Sequence, residues 1–318
     1  MGTTYNITVI TENSEIDNKK LASTVELVLA DVNAKMSNWV SSSEISKLNK
    51  LRTTDPIPIS RELAYVMAQA NEVHEKSGGK FDVTLGPLIE LWGFGTRKPE
   101  DPIPSQAEIT NALALVGQTK NLKLDKKTFT ISKSRPEIST NLSAIAKGYG
   151  IDAVADRLIE IGFEDYLVEI GGDLRAAGKN QFGKPWRIGI EKPEIGSRQI
   201  KQIVALNDSG MATSGDYNNF TEVDGKRYSH IIDPSSGRPI NHRTTSVTVV
   251  SSNATKADAW ATALLVLGNE KGLKIADRNG IAAYFISHAS DTQKGQYVIN
   301  TSKAIESILK KGSQDIDE

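Results

Sequence analysis

The sequence predicts a single α+β domain, and three observations carry that reading. Stretches with apolar residues at helical spacing alternate with short strand-like runs along the whole chain. No heptad pattern, internal repeat or linker run divides it. Of 318 residues, 38% are hydrophobic and 24% charged, which is ordinary for a soluble globular protein with room for a sizeable core.

In chain order, TTYNITVI reads as a first strand. Leu21, Val25, Val28, Leu29, Val32 and Met36 then recur at helical spacing. That helix ends in MSNWVSSSEISKLN, where Ser41 to Ser43 are cap and turn formers before Ile45 and Leu48. Trp39, at the helix exit, reads first as core, where an aromatic in that place usually lies; a stacking surface for a planar ligand is the rival, which the sequence alone does not favour. A second helix runs from about Arg61 to Lys76 and is stopped by Gly78 and Gly79. In KFDVTLGPLIELWGFG, the Gly86-Pro87 step predicts irregular backbone, with Asp82, Trp92 and Phe94 as polar and aromatic content. A binding loop and a packed loop anchored by Trp92 are equally good readings.

Ser105 and Glu108 form a capping box for a third helix, closed by Gly117. Strands follow at LKL and FTIS. A helix after them carries Ser143, Ala144 and Lys147 at its start, a sensible anion site that is weak as a motif by itself. YLVEIGGDLRAAG reads as two strands about a Gly171-Gly172 turn with Asp173, and WRIGIEKP as a strand ended by Pro193. In YSHIIDPSSGRPI, a reverse turn joins two short strands, with His230 on its approach. His74, His242 and His288 read as structural.

Residues 244–268 draw the chain together. Val247 and Val249 alternate with polar residues as a strand, and Ala257, Ala261, Leu264 and Leu265 form the apolar face of a helix that Gly268 ends. Asp258 and Thr262 stand at i and i+4 on that helix, an oxygen-only pair suited to a hard cation such as Mg²⁺. The competing reading makes Thr255 the cap and Asp258 its partner at N3, worth about 1 kcal/mol. Taken alone, the pattern favours the cap. Beyond it, EKGLKIADRNG is helical, IAAYFIS and QYVIN are strands, and SKAIESILKKG is a closing helix. Residues 313–318 read as a disordered tail.

Composition also excludes. A net charge of -1 and a pI near 6.5 argue against nucleic acid or an anionic membrane surface as the main partner, so any bound phosphate must be held locally. The absence of cysteine removes disulfides, thiolate zinc sites and a cysteine nucleophile, and suits an oxidising compartment. No apolar run approaches the roughly 18 residues of a membrane span. The strand-like opening fits a chain whose export segment has been removed. No P-loop, Rossmann glycine fingerprint, G-x-S-x-G elbow or HExxH motif is present.

Read together, these segments resemble the FAD:protein FMN transferase family, the ApbE-type flavin transferases. The ordered matches are GTTY, MSNWVSSSEISKLN, GGKFDVTLGPL with LWGFG, LSAIAKGYGID, VEIGGDLRAAG, WRIGIEKP, MATSGDYNNF, SHIIDPSSGRPI and SVTVVSSNATKADAWATALLVLG, spanning residues 2–268. The resemblance implies one domain over residues 1–312, with a mixed, mainly antiparallel sheet, packed helices and a cleft for FAD. It implies that Mg²⁺ is held by Asp258 and Thr262, with backbone carbonyls from Ala261 and the Ser143–Ala146 region, Ala144 among them. FAD contacts are implied for Met36, Trp39, Trp92, Phe94, Ser143, Lys147, Gly171, Gly172, Asp173, Thr213, Ser214, Gly215 and Asp233.

The reaction implied is Mg²⁺-dependent transfer of FMN from FAD to a threonine hydroxyl of a target protein, releasing AMP. His230, in the H-x-x-D-P motif, is implied as the base. Acceptors would be flavoprotein subunits such as those of respiratory electron-transfer complexes. The implied location is the periplasm or the outer face of the cytoplasmic membrane, with a lipid anchor on the precursor. Asn141 stands where many members carry Asp, and Trp39 where Tyr is usual, so the wall against the flavin differs in detail. A metal-dependent FAD pyrophosphatase and a flavin carrier without turnover are the competing functions.

Overall fold

The computed structural model describes residues 2–12, 17–94, 103–194, 199–216, 220–223, 226–290 and 296–314. The first third of the chain forms β1 (Tyr5–Ile10), α1 (Asn18–Met36), α2 (Glu44–Lys50), β2 (Ile57–Pro58), α3 (Arg61–Lys76), α4 (Gly86–Leu91) and α5 (Gln106–Leu113). Next come α6 (Gln118–Asn121), β3 (Leu122–Asp125), β4 (Thr130–Lys133), α7 (Ala146–Glu160), β5 (Asp165–Ile170), β6 (Asp173–Ala177), β7 (Trp186–Glu191) and β8 (Ile200–Leu206). They are followed by β9 (Ser209–Gly215), β10 (Phe220–Val223), β11 (Lys226–Ser229), β12 (Ile232–Asp233), β13 (Arg238–Pro239) and β14 (Thr244–Ser251). The chain ends with α8 (Ala254–Asn279), β15 (Ala282–His288), β16 (Tyr297–Thr301) and α9 (Lys303–Gln314).

Seven strands form the central sheet in the order β1-β5-β6-β9-β14-β15-β16. The mainly antiparallel sheet expected from the sequence is present, and every pairing among the described residues is antiparallel. Strand parity divides the core into two layers. Ala212, Val247, Val249, Ala283 and Phe285 face α8 and α3 on the front, while Met211, Val250, Tyr284 and Ile286 face the β7–β8 ribbon and Ile305 of α9 on the back. Tyr166, Val168 and Ile170 of β5 extend the front face under α7 and α1.

Several expectations are corrected. β14 is the strand its alternation predicts, but it lies mid-sheet with both faces covered, so its polar residues are buried too, seven of its eight residues in all. The Gly86-Pro87 step opens the short helix α4 instead of breaking the chain, since a proline in the first turn sacrifices no helical hydrogen bond. α9 continues to Gln314, two residues into the tail expected to be disordered, and 315–318 lie outside the described residues. Gly268 does end the first segment of α8: its φ of 70° and ψ of 174° interrupt the helix, which resumes at Asn269.

The front layer depends on glycine where helices approach most closely. A Cβ on Gly148 of α7 would lie 2.3 Å from the Ala254 carbonyl oxygen and 2.8 Å from Asp258 Cβ. Backbone cannot yield as a side-chain tip can. Gly148→Ala is therefore expected to destabilise the fold by about 1–3 kcal/mol or more through overpacking, measured by denaturant titration; an unchanged midpoint would contradict this closeness of approach.

Candidate functional site

The site is assembled around the first two turns of α8. β9 turns Gly210, Ala212 and Ser214 toward α8, an all-small face that lets the helix lie close; a Cβ on Gly210 would come within 2.3 Å of Ala254 N. Helix and strand then run in step. Eight helical residues rise about 12 Å and four strand residues about 13 Å, so Thr262 arrives opposite Ser214, and their hydroxyls meet at 3.0 Å. Asn253, not Thr255, is the N-cap, its side chain accepting from Lys256 N–H at 2.9 Å. The capping box proposed for Thr255 and Asp258 does not form. Thr255 donates its hydroxyl to Asp152 of α7, and Asp258 accepts the Gly148 N–H at 2.9 Å through Oδ2.

Asp258 is only 5% exposed and shares its surroundings with a second buried carboxylate, Asp173 at the start of β6. Lys147 forms an ion pair with Asp173 Oδ2, and the Thr213 N–H donates to Asp173 Oδ1 at 2.9 Å. One lysine thus faces two carboxylates. Burial, reinforced by the Asp173 charge, pushes the Asp258 carboxyl up to about 7, against the opposing pull of Lys147 and the Gly148 N–H. Burial also raises Asp173, opposed by Lys147. Burial works against the Lys147 ammonium, yet Asp173 and Asp258 outweigh it and hold its pKa above the usual lysine value.

A second group of expected residues lies where the end of α4 packs against the stretch from β11 to β13. His230 sits between β11 and β12, its ring edge-on to Phe94 with centroids 6.3 Å apart. Trp92 is an anchor: its indole N–H donates to the Gly237 carbonyl at 2.8 Å and its ring packs on Tyr228. Asp233 shapes the turn, accepting from Ser235 N–H at 2.9 Å and pairing with Lys80 at 2.7 Å. Burial would raise its carboxyl, but Lys80 and Ser235 outweigh that and hold it below the usual range.

The remaining expected residues are placed as follows. Met36 is packed in the main core, whereas Trp39 is 77% exposed beyond the end of α1. Ser143 is exposed and Ala144 half-buried in the turn before α7, and Ala261 is buried on α8. Gly171 and Gly172 make the β5–β6 turn with φ of 57° and 91°, and Gly215 ends β9. Thr213 follows Met211 in strand parity, so its side chain lies on the back face, with its hydroxyl 2.8 Å from that of Thr248; only its backbone serves Asp173. Among the described residues, no three His, Asp or Glu side chains converge as a ready metal cluster. A cation here would draw on Asp258, the Thr262 hydroxyl and backbone oxygen.

Sequence reasoning passed over two devices. Asp152 accepts from the Ala254 and Thr255 N–H groups at the head of α8. Asn38 and Asn49 both bond the Thr140 carbonyl at 2.8 Å, while Asn38 Oδ1 also takes the Leu142 N–H, fixing the chain that leads to Ser143. Asn38 and Asn49 both lie within MSNWVSSSEISKLN, whose polar density was their only signal.

Residues 1–285 match the model of the ApbE family. The FAD:protein FMN transferase of Vibrio cholerae serotype O1 is 43% identical over 291 residues, covering 92% of this chain and 86% of that protein. The Haemophilus influenzae protein of the same name is 42% identical over 290 residues, covering 90% and 84%. Among solved structures, the flavin transferase ApbE from Vibrio cholerae aligns with a TM-score of 0.87 at 40% identity, covering 97% of this chain and 96% of that one. The apo form of the Pseudomonas stutzeri flavinyl transferase ApbE gives 0.86 at 38% identity, covering 97% and 94%.

The buried charge sets a pH dependence. Because the folded protein raises the Asp258 pKa above the ordinary carboxylate value, folding is favoured most below that ordinary value, and stability falls as pH rises through about 7. Asp258→Asn removes the charge while keeping an acceptor for Gly148. Without added metal, the variant is expected to melt on the order of 5 °C above the parent at pH 8 and level with it near pH 4. Thermal melts in chelator test this, and equal melting temperatures at pH 8 would contradict it.

Proposed function

We infer from its family, the ApbE family, to which this chain belongs, that the protein is a FAD:protein FMN transferase. We propose further that the acceptor is a threonine hydroxyl of a target protein, that AMP is the leaving group, and that Mg²⁺ is required. The observation that carries the metal reading is the buried imbalance of Asp173 and Asp258 against Lys147 alone. A divalent cation relieves it, and an all-oxygen donor set suits Mg²⁺. Asp258, the Thr262 hydroxyl and the carbonyls of Ala144 and Ala261 would hold it. When bound, the cation supplies charge neutralisation on the phosphoryl oxygens of FAD.

The chain's own groups do the rest. Lys147, fixed by Asp173, keeps a permanent positive charge beside the pyrophosphate. His230 takes the proton of the acceptor hydroxyl as its oxygen bonds to the FMN phosphorus, and the phosphorus–oxygen bond to the AMP portion breaks. A threonine hydroxyl is a weak nucleophile near neutrality, and an imidazole is the side chain most often used to take such a proton. The front face of Gly210, Ala212 and Ser214 keeps α8 in register with β9 while the phosphates are handled. The acceptors proposed are flavoprotein subunits such as those of respiratory electron-transfer complexes. An exported location is supported by the lack of cysteine and would be tested by cell fractionation.

Incubation with FAD, Mg²⁺ and a threonine-bearing acceptor, followed by intact-mass measurement, is expected to show one FMN added per acceptor and one AMP released. Free FMN without acceptor modification would instead indicate hydrolysis. His230→Ala should bind FAD within a few-fold of the parent and lose transfer rate by roughly 10²- to 10⁴-fold. Weak FAD binding with an intact single-turnover rate would remove His230 from the reaction.

A further inference from the structure

Asp152 lies outside the groups assigned a role above, yet it touches the helix that carries two of them. It is 6% exposed and sits on α7 one turn beyond Gly148. Its Oδ1 accepts the Ala254 N–H at 2.9 Å, and its Oδ2 accepts the Thr255 N–H at 2.8 Å and the Thr255 hydroxyl at 2.5 Å. Those donors are the first free N–H groups of α8, where a carboxylate is favoured by both hydrogen bonding and the helix dipole. Asn253 takes the next one, at Lys256.

The same carboxylate ties α7 to the sheet. β6 presents Asp173 and Arg175 on one face, two residues apart. Asp173 pairs with Lys147, and Arg175 reaches Asp156 at 2.8 Å and Asp152 at 3.4 Å. Three ion pairs, one with the cation on α7 and two with it on β6, thus lock α7 onto β6, and Asp152 carries that lock across to α8. Asp258 follows Ala254 by four residues, about 6 Å along the helix axis. An axial slip or rotation of α8 at Asp152 therefore passes undiminished to Asp258, and so to its contact with Gly148.

We propose that Asp152 is a positioning residue: it sets the axial register of α8 against α7 and so holds Asp258 and Thr262 where they can bind the divalent cation. The role rests on the metal reading given under the proposed function. It also differs from a general contribution to stability, because the Asp152 bonds converge on the head of one helix and three of the four proposed metal oxygens, those of Asp258, Ala261 and Thr262, lie on that helix's next two turns. Partners that orient a ligand are typically worth about 10- to 100-fold in metal affinity.

The test is Mg²⁺ binding by titration calorimetry on the whole chain without FAD, alongside melting temperature in chelator. Asp152→Asn is expected to bind Mg²⁺ about 10- to 100-fold more weakly at temperatures where it remains folded. Thr255→Val, which removes a single hydroxyl contact to Asp152, is expected to weaken binding less and to fold even if Asp152→Asn does not. Asp156→Asn, which removes the exposed partner of Arg175 and leaves Asp152 intact, should shift melting at most and leave Mg²⁺ affinity at the parent value. Parent-level affinity in both Asp152→Asn and Thr255→Val, or in Thr255→Val alone where Asp152→Asn does not fold, would overturn the positioning role even if melting falls. An affinity loss in Asp156→Asn equal to that in Asp152→Asn would overturn it as well. If the parent itself binds no Mg²⁺, it is the metal reading that fails, and with it this role.

Discussion

The contact between Gly148 and Asp258 is the constraint from which the rest of the site follows. A backbone N–H can reach a carboxylate on a neighbouring helix only if the helices nearly touch, and α7 and α8 do so because residue 148 lacks a side chain. Lys147 is fixed by the same event, being the adjacent residue on α7, and it meets Asp173 at the edge of the β5–β6 turn. The small face of β9 repeats the device from the other side, since Gly210 allows the head of α8 to rest on the strand. Side-chain volume, withheld at two positions, thus determines where charge is placed.

That charge is unbalanced in a way the pairing of Asp233 with Lys80 is not. Asp233 has Lys80 to itself, together with two bonds from Ser235, and its carboxyl is held below the usual range. Asp258 has the Gly148 N–H and a lysine already committed to Asp173, and its carboxyl is driven upward by burial. A buried carboxylate without its own counter-ion lowers the stability of the fold unless a ligand completes it. The contrast separates a carboxylate that shapes a turn from one poised to bind.

Much of this was legible in the sequence, and the parts that were not have a common cause. The i, i+4 pairing of Asp258 and Thr262, the Gly171-Gly172 turn and the Ser105–Glu108 capping box are local, and local spacing reveals them. Asp152 capping a helix 102 residues away is not local, and neither is the hold of Asn38 on residues 140–142. The alternation in β14 reveals the strand but not that its Thr and Ser are covered as well, because burial of both faces is set by the elements packed on it. Thr213 illustrates a subtler failure. Residues 209–215 carry no strand signal of their own, and the face of Thr213 is decided by which neighbours Met211 and Ala212 find in the core, which only the two-layered packing settles.

The back layer of the sheet bears on how the chain is made. β6 and β9 are neighbours in the sheet, yet the chain between them leaves to form the β7–β8 ribbon, which lies against α9 from the far end of the sequence. Trp186, Val204 and Leu206 therefore wait for Ile305 before their apolar surface is covered. During vectorial synthesis, the front layer can close around α8 while the rear face still exposes hydrophobic strands. Such a nascent intermediate is prone to self-association until the last helix docks.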